Sequence, residues 1–351
     1  MTAHVPQVML VTGGAGFIGS NFIRYQLRSD PALAIVCLDK LTYAGSLANL
    51  GDMPGPPRYR FVHGDACDQD LVRRLLAEHE VDTIVHFAAE THVDRSITDP
   101  EAFVQANVVG TSGPLEAARR VWLGREVKRP FRSFRFHHVS SDEIYGALAA
   151  GEPAFTETRV YAPNSPYAAS KAGSNHLVRA YQRTYGLPVV ITNGCNTYGP
   201  HQNYEKFIPT VIDACRRRVS VPVYGDGSNR REWLYVEDHC RALDLVLRRA
   251  ATGATFNIGA GTELANVELA RRICAIFDEI RPQHAPHERL ITFVPDRPGH
   301  DWRYAVDWSK LARELGWRPQ EELDSGLRKT VEWFLAGRTR PRAVPRVSAA
   351  R

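Results

Sequence analysis

The stretch that most constrains this chain is its beginning. A short apolar run, Val8 to Thr12, meets Gly13, Gly14, Ala15, Gly16, Phe17, Ile18 and Gly19, and an amphipathic segment from Ser20 to Leu27 follows. Apolar run, glycine turn and amphipathic run together predict a strand, a tight turn and a helix. The pattern then repeats. A second apolar run, Ala34 to Leu38, ends in Asp39, and further short strands are expected at Tyr59–Val62, Thr83–Phe87, Phe134–Val139 and Pro188–Thr192. Helical spacing lies between them, at Asp70–Glu78, Glu101–Arg120 and Ala168–Tyr185.

Nearly continuous apolar strands alternating with helices call for a parallel sheet covered on both faces. The expected fold class is α/β, a Rossmann-type doubly wound parallel sheet with a smaller, partly interleaved C-terminal domain. Past Thr197 the rhythm changes to loops rich in Pro, Gly and Asn, with helices near Phe207–Arg218, Glu237–Arg249, Val267–Asp278 and Asp324–Leu335. The expected division is 1–197 with 231–260 returning to it, a second domain from 198–230 and 261–336, and a basic, disordered tail at 337–351.

Charge narrows the function class. The net charge is +5, but five of the 44 basic side chains are arginines between 338 and 351, where there is no acid, which leaves 39 bases against 39 acids in the rest. The body of the protein has no electrostatic reason to seek a nucleic-acid polymer. The six cysteines, Cys37, Cys67, Cys195, Cys215, Cys240 and Cys274, are scattered without a Cys-x-x-Cys pair, so reduced buried thiols and no metal site are expected. No apolar run reaches the ~18 residues of a membrane span and the N-terminus lacks a signal-peptide layout. A cytoplasmic protein without membrane contact is the expectation.

Glycines at positions 13, 16 and 19 let backbone approach a pyrophosphate seated on the positive end of the following helix. Asp39 comes about 20 residues later, at the end of the second strand, where a carboxylate accepts the ribose hydroxyls of the adenosine and repels a 2′-phosphate. NAD is therefore the expected cofactor, although Lys40 beside Asp39 could tolerate a phosphate. Asp65 either reaches the adenine edge or shapes a turn. Phe87, Ala88 and Ala89 end the fourth strand with small residues that allow close backbone approach.

Tyr167 and Lys171 stand four apart, on one face of a helix, where an ammonium lowers a phenol's pKa so that it can take a proton from a hydroxyl. With the segments Val11–Gly19, His86–Ile97, Ser140–Gly146, Ser165–Lys171, Asn196–Pro200, Arg231–His239 and Asp296–His300, the chain up to about Leu335 resembles the extended short-chain dehydrogenase/reductases and, within them, the dTDP-glucose 4,6-dehydratases. Ser141-Asp142-Glu143 separates dehydration from epimerisation: an epimerase needs only the hydroxyl and the Tyr/Lys pair, while elimination of water also needs a base and an acid.

The resemblance implies a lyase cycle in deoxysugar biosynthesis. Tyr167, Lys171 and Ser141 assist oxidation at C4, Glu143 takes the C5 proton, Asp142 protonates the leaving C6 hydroxyl, and hydride returns to C6. It further implies cofactor contacts at Gly13, Gly16, Phe17, Ile18, Gly19, Asp39, Lys40, Leu41, Thr42, Asp65, Ala66, Phe87, Ala88, Ala89, Thr91, Ala106, Tyr167, Lys171 and Thr197. The nucleotide sugar is assigned to Thr91, Ser141, Asn196, Lys206, Phe207, Pro222, Val223, Tyr224, Arg231, Asn266, Asp296, Arg297, Pro298, Gly299 and His300, with Lys206, Arg231 and Arg297 facing two phosphates. Trp233 and Trp302 are read as packing residues. A homodimer through the helices at Glu101–Arg120 and Ala168–Tyr185 is implied as well. The sequence departs from the family at Ser141 and Ala106, where Thr is usual, at Thr197, where Asn is usual, and at Thr91, where Ser is usual. No side chain reads the base, so thymine and uracil both stay open, and an NDP-sugar 4-epimerase is the rival within the class. A non-enzymatic protein acting through its basic tail is the rival outside it.

Overall fold

A computed structural model describes residues 3–124 and 134–337; the tail expected to be disordered lies, but for Gly337, outside the described residues. Seven parallel strands form the central sheet: β1 (Val8–Thr12), β2 (Ala34–Asp39), β3 (Tyr59–His63), β4 (Thr83–His86), β5 (Arg135–Ser141), β6 (Val189–Gly194) and β10 (Thr255–Ile258), in the order β10-β6-β5-β4-β1-β2-β3. The order reverses between β1 and β4, which opens a crevice at the carboxyl ends of these strands, where a doubly wound sheet binds its ligand. On one face lie α1 (Phe17–Ser29) and α8 (Val236–Arg249), which pack on each other. On the other, α2 (Gln69–Glu78) and α5 (Gly110–Trp122) bury Leu75, Leu76, Leu115 and Trp122 against Leu10, Ile84 and Phe136.

The centre of the sheet is unusually polar. His86 on β4 and His138 on β5 stack at 5.6 Å, and each imidazole finds a hydroxyl: Thr12 at 2.7 Å for His86, Ser174 at 3.0 Å for His138. Burial pushes His86 down to about 3 and His138 well below the ordinary histidine value, so both are neutral at physiological pH.

A second core gathers α7 (Phe207–Arg217), α9 (Asn266–Ile280) and α11 (Leu323–Leu335) around Ile212, Leu269, Ile273 and Val331. It carries a three-stranded sheet, β11-β9-β7, made of Glu263–Ala265, Arg230–Tyr235 and Asn196–Tyr198, and a parallel pair, β8 (Val221–Tyr224) with β12 (Ile291–Val294). The segment 231–260 was expected to return whole to the large sheet. Only α8 and β10 do so. The first strand, β9, instead pairs with β7 and β11; its sequence is half charged, and Glu232 is held there by the N–H groups of Ala260, Gly261 and Val306.

The helix expected at Glu101–Arg120 is also broken. A four-residue turn, Pro100–Phe103, passes into a π-helical stretch, Val104–Val109, before α5 begins. The cause is Asn107: its Oδ1 accepts the Glu90 N–H at 2.8 Å and its Nδ2 donates to the Glu90 carbonyl at 3.0 Å. The side chain thus behaves as one rung of a strand ladder for the loop after β4, and the helix widens to aim it there. Trp233 is buried, as a packing residue should be, whereas Trp302 is 37 % exposed.

Candidate active site

Each functional group is placed by a specific local device. Gly13 ends β1 with φ +71°, and a Cβ there would lie 2.5 Å from the Ala88 nitrogen; a Cβ on Gly19 would lie 2.4 Å from the Gly13 carbonyl oxygen. Backbone from β1, from the end of β4 and from α1 therefore meets with no room for side chains, and α1 starts with no acidic residue in its first turn. That cradle, positive and bare, suits a diphosphate. Asp39 stands at the far side, buried, with Oδ2 accepting from Ala15 N at 2.9 Å and Oδ1 from Leu41 N at 2.8 Å. Each oxygen keeps a lone pair for a ribose hydroxyl. The donor set fits a dinucleotide without a 2′-phosphate, since Lys40 turns away to pair with Asp65 at 2.7 Å. Asp65 also accepts the Cys67 N–H at 2.9 Å, so it shapes its turn and lines the cavity.

Ser165 caps α6 (Pro166–Tyr185), accepting from Ala168 N at 3.1 Å, and Pro166 takes the first position, where its missing N–H costs nothing. This fixes Tyr167 in the first turn and Lys171 one turn on, where Nζ donates to the Val139 carbonyl of β5 at 2.9 Å. The strand β5 continues into a short 3₁₀ turn, Asp142–Tyr145, whose Glu143 N–H is accepted by the Ser141 hydroxyl at 3.3 Å. Below this turn the Tyr145 hydroxyl donates to Asn257 at 2.8 Å and accepts from Asn193 at 2.8 Å, and Asn175 donates to Asn193 at 3.0 Å. That buried network fixes the two carboxyl groups above it.

The result is one cavity of about 570 Å³, lined by the glycine turn, Asp39, Thr42, Asp65, Ala66, Phe87 to Thr91, Ala106, Ser141 to Glu143, Tyr167, Lys171, Asn196, Thr197, Lys206 and Phe207. Burial pushes Asp142 well above the carboxylate range, and the charges of Glu143 and Glu232 add to the shift. Its Oδ1 accepts the Ser141 hydroxyl at 3.3 Å, while Oδ2 is buried without a partner. Burial thus favours the protonated form of Asp142, the form that can donate. Glu143 is also raised by burial, but the positive charges of Arg297, Arg231 and Lys206 pull it back. Two neighbouring carboxyl groups are thereby driven apart, one towards acid and one towards base.

Sequence reasoning fails at several points here. The expected lowering of the Tyr167 phenol does not hold: burial, then the charge of Glu143, push it up, opposed by a hydrogen bond with Ser141. The Lys171 ammonium is spent on the Val139 carbonyl and is itself lowered to about 8 by burial. Arg231 is buried and hydrogen-bonds the backbone carbonyls of Arg230, Asp301 and Trp302, leaving little of its fork for phosphate. Arg297 leans on Asp94 at 3.2 Å, and Tyr224 reaches the same carboxylate at 3.2 Å. Leu41, Pro222, Val223, Asn266, Asp296, Pro298, Gly299 and His300 do not line the cavity; Val223 is in the second core and Asn266 opens α9. Conversely, Glu90, Cys195, Asn203, Glu205 and His239 line it and were not foreseen. Only chain folding brings them there.

A family model described as GDP-mannose 4,6 dehydratase matches residues 10–330. A dTDP-glucose 4,6-dehydratase of Shigella flexneri is 51 % identical over 338 residues, 93 % of this chain and 92 % of that protein. The chain belongs to the dTDP-glucose 4,6-dehydratase family. The crystal structure of another member, DesIV from Streptomyces venezuelae with NAD and TYD bound, superposes with a TM-score of 0.85 at 46 % identity, over 94 % of this chain and 98 % of that one. A UDP-glucuronic acid 4-epimerase from Bacillus cereus also superposes at 0.82, with 25 % identity over 94 % and 99 % of the two chains. Dehydratases and epimerases thus share this architecture, and the side chains of the site must separate them.

Among the described residues no helix is long and apolar enough to cross a membrane, and no group of three or more His, Cys, Asp or Glu could hold a metal ion. The cysteines are free, and all but Cys67 are buried.

Proposed function

We propose that this chain dehydrates dTDP-glucose to dTDP-4-keto-6-deoxyglucose, as an NAD-dependent hydro-lyase of deoxysugar biosynthesis. The observation that carries the proposal is the adjacent carboxyl pair Asp142 and Glu143, both raised by burial and Asp142 the more strongly, in the same cavity as Tyr167 and the glycine cradle. An epimerase has no use for that pair.

The division of labour follows from the environments. NAD held by the cradle and Asp39 supplies the oxidant at C4 and, once reduced, the hydride for C6. Tyr167 takes the C4 hydroxyl proton as the phenolate, the form that its hydrogen bond with Ser141 favours against burial and the charge of Glu143. The ketone acidifies C5, and Glu143 removes that proton. Asp142 gives its proton to the C6 hydroxyl, which departs as water, and Glu143 returns a proton to C5. Lys206, half-buried with Nζ on the Thr91 carbonyl, and Arg297 supply positive charge for the diphosphate, while Arg231 holds the 301–302 backbone in place.

The sheet half holds the cofactor and the smaller half the sugar nucleotide in this reading. The enzyme acts in the cytoplasm, where the nucleotide-sugar and NAD pools lie. It acts as a homodimer joined through the segments Glu101–Arg120 and Ala168–Tyr185; Val104 and Val109 on the first and Tyr185 on the second, all more than 40 % exposed, suit that face, and a monomer mass by light scattering would remove the dimer. Incubation with dTDP-, UDP- and GDP-glucose, followed by mass spectrometry, tests the reaction and the base together. The expected product from dTDP-glucose is lighter by one water with no net reduced NAD; unchanged mass from every donor would overturn the proposal.

A further inference from the structure

Three loops are tied together across the mouth of the cavity by side chains that the proposed chemistry does not use. Tyr43 follows Asp39 by four residues, and the Arg95 guanidinium lies 3.8 Å from the centre of its ring. The Tyr43 hydroxyl accepts the Thr91 N–H at 3.4 Å, and its backbone carbonyl accepts from Asn203 Nδ2 at 3.3 Å. Glu205 completes the set with an oxygen 3.5 Å from Arg95 Nη2. His92 also approaches Glu205, at 3.9 Å, but burial lowers its pKa to about 4, so Arg95 is the cationic partner at neutral pH. Thr42, Glu90, Thr91, Asn203 and Glu205, from these same loops, form cavity wall.

Resting on the reading that this cavity holds NAD, we infer that Tyr43, Arg95 and Glu205 form a clasp that retains the cofactor between turnovers. They are positioning residues. The loop that follows the ribose-binding Asp39 is tied by Tyr43 to the loop after β4 and to the segment before α7, so cofactor release requires Arg95 to leave the ring or Glu205. An enzyme that returns its hydride in each cycle gains from holding NAD between turnovers.

The test is the rate at which purified holoprotein loses NAD after desalting, measured as NAD in the ultrafiltrate over time. Arg95→Ala and Tyr43→Leu should release it roughly tenfold faster or more, the scale of one lost cation–π contact, and excess NAD should restore their turnover. Tyr43→Phe keeps the ring under Arg95 and loses only the hydroxyl's long contact with the Thr91 N–H, so it should release NAD far closer to the wild-type rate than Tyr43→Leu, an outcome that a merely structural role for the loop would not single out. Arg95 is half-exposed, so its replacement carries the test even if Tyr43→Leu fails to fold. Variants that melt like wild type and release NAD as slowly would overturn the clasp alone. Wild-type protein that takes up no NAD would overturn the cofactor reading and the clasp with it.

Discussion

Glu143→Gln is expected to lower kcat for dehydration by about 10²- to 10⁴-fold, the range for removal of a general base, while leaving oxidation at C4 in place. Gln keeps the shape and the backbone N–H that caps on Ser141, but it cannot take a proton from C5. Substrate should therefore stall after the first step, with reduced NAD accumulating in the near-ultraviolet and the C5 hydrogen no longer exchanging with solvent deuterium. Wild-type pH dependence carries the same signature. The base must be ionised, and burial raises Glu143, so activity falls as pH drops through a value above the ordinary glutamate range. Activity at high pH is limited from the other side, where Asp142, raised well above the carboxylate range, loses the proton it gives to the C6 hydroxyl. An acid limb that survives unchanged in Glu143→Gln would assign it to another group.

Tyr167→Phe should be at least as damaging, about 10²- to 10⁴-fold in kcat, but with the opposite intermediate: no reduced NAD at all, because the C4 proton has no acceptor. The fold should tolerate the change. Tyr167 is buried and packs edge-on to Phe103 at 6.3 Å, a contact the phenyl ring keeps. The Ser141 hydroxyl loses its phenol partner and retains Asp142 and the Glu143 N–H. If reduced NAD formed in Tyr167→Phe as in wild type, the base for C4 would lie elsewhere in the cavity, and Lys171 would be the first to examine. The two variants together order the steps: Tyr167 acts before the ketone exists and Glu143 after it.

The strand-turn-helix at the start was legible because its physics is local: a positive φ at Gly13, and the Gly13 carbonyl oxygen 2.4 Å from where a Cβ on Gly19 would lie, favour glycine at both positions before any distant contact forms. Asp39, Tyr167 and Lys171 were legible for a similar reason, since spacing along one strand or helix fixes their facing. Residues whose partners lie far along the chain were not. Asn107 looks like one polar residue in a long helix until Glu90, seventeen positions earlier, claims its amide. Arg231 reads as a phosphate ligand by charge, yet the carbonyl of its neighbour Arg230 and the distant carbonyls of Asp301 and Trp302 take up three of its donors. Strand β9 holds Arg230, Arg231 and Glu232 beside three apolar-bodied residues, and its partners β7 and β11 lie well before and after it in the chain. Electrostatics failed in the same way: helical spacing placed Lys171 near Tyr167, but only the tertiary structure shows its Nζ on Val139 and two carboxyl groups beside the phenol.

The most direct measurement uses dTDP-glucose carrying deuterium at C4. The chemistry assigned to Tyr167, Asp142 and Glu143 requires hydride to leave C4 and return to C6 of the same molecule, with one water lost between. The expected product is a 4-keto-6-deoxy sugar with the label in its C6 methyl group, retained at full abundance when unlabelled substrate is mixed in. A product of unchanged mass with deuterium back at C4 would contradict dehydration and make the chain an epimerase.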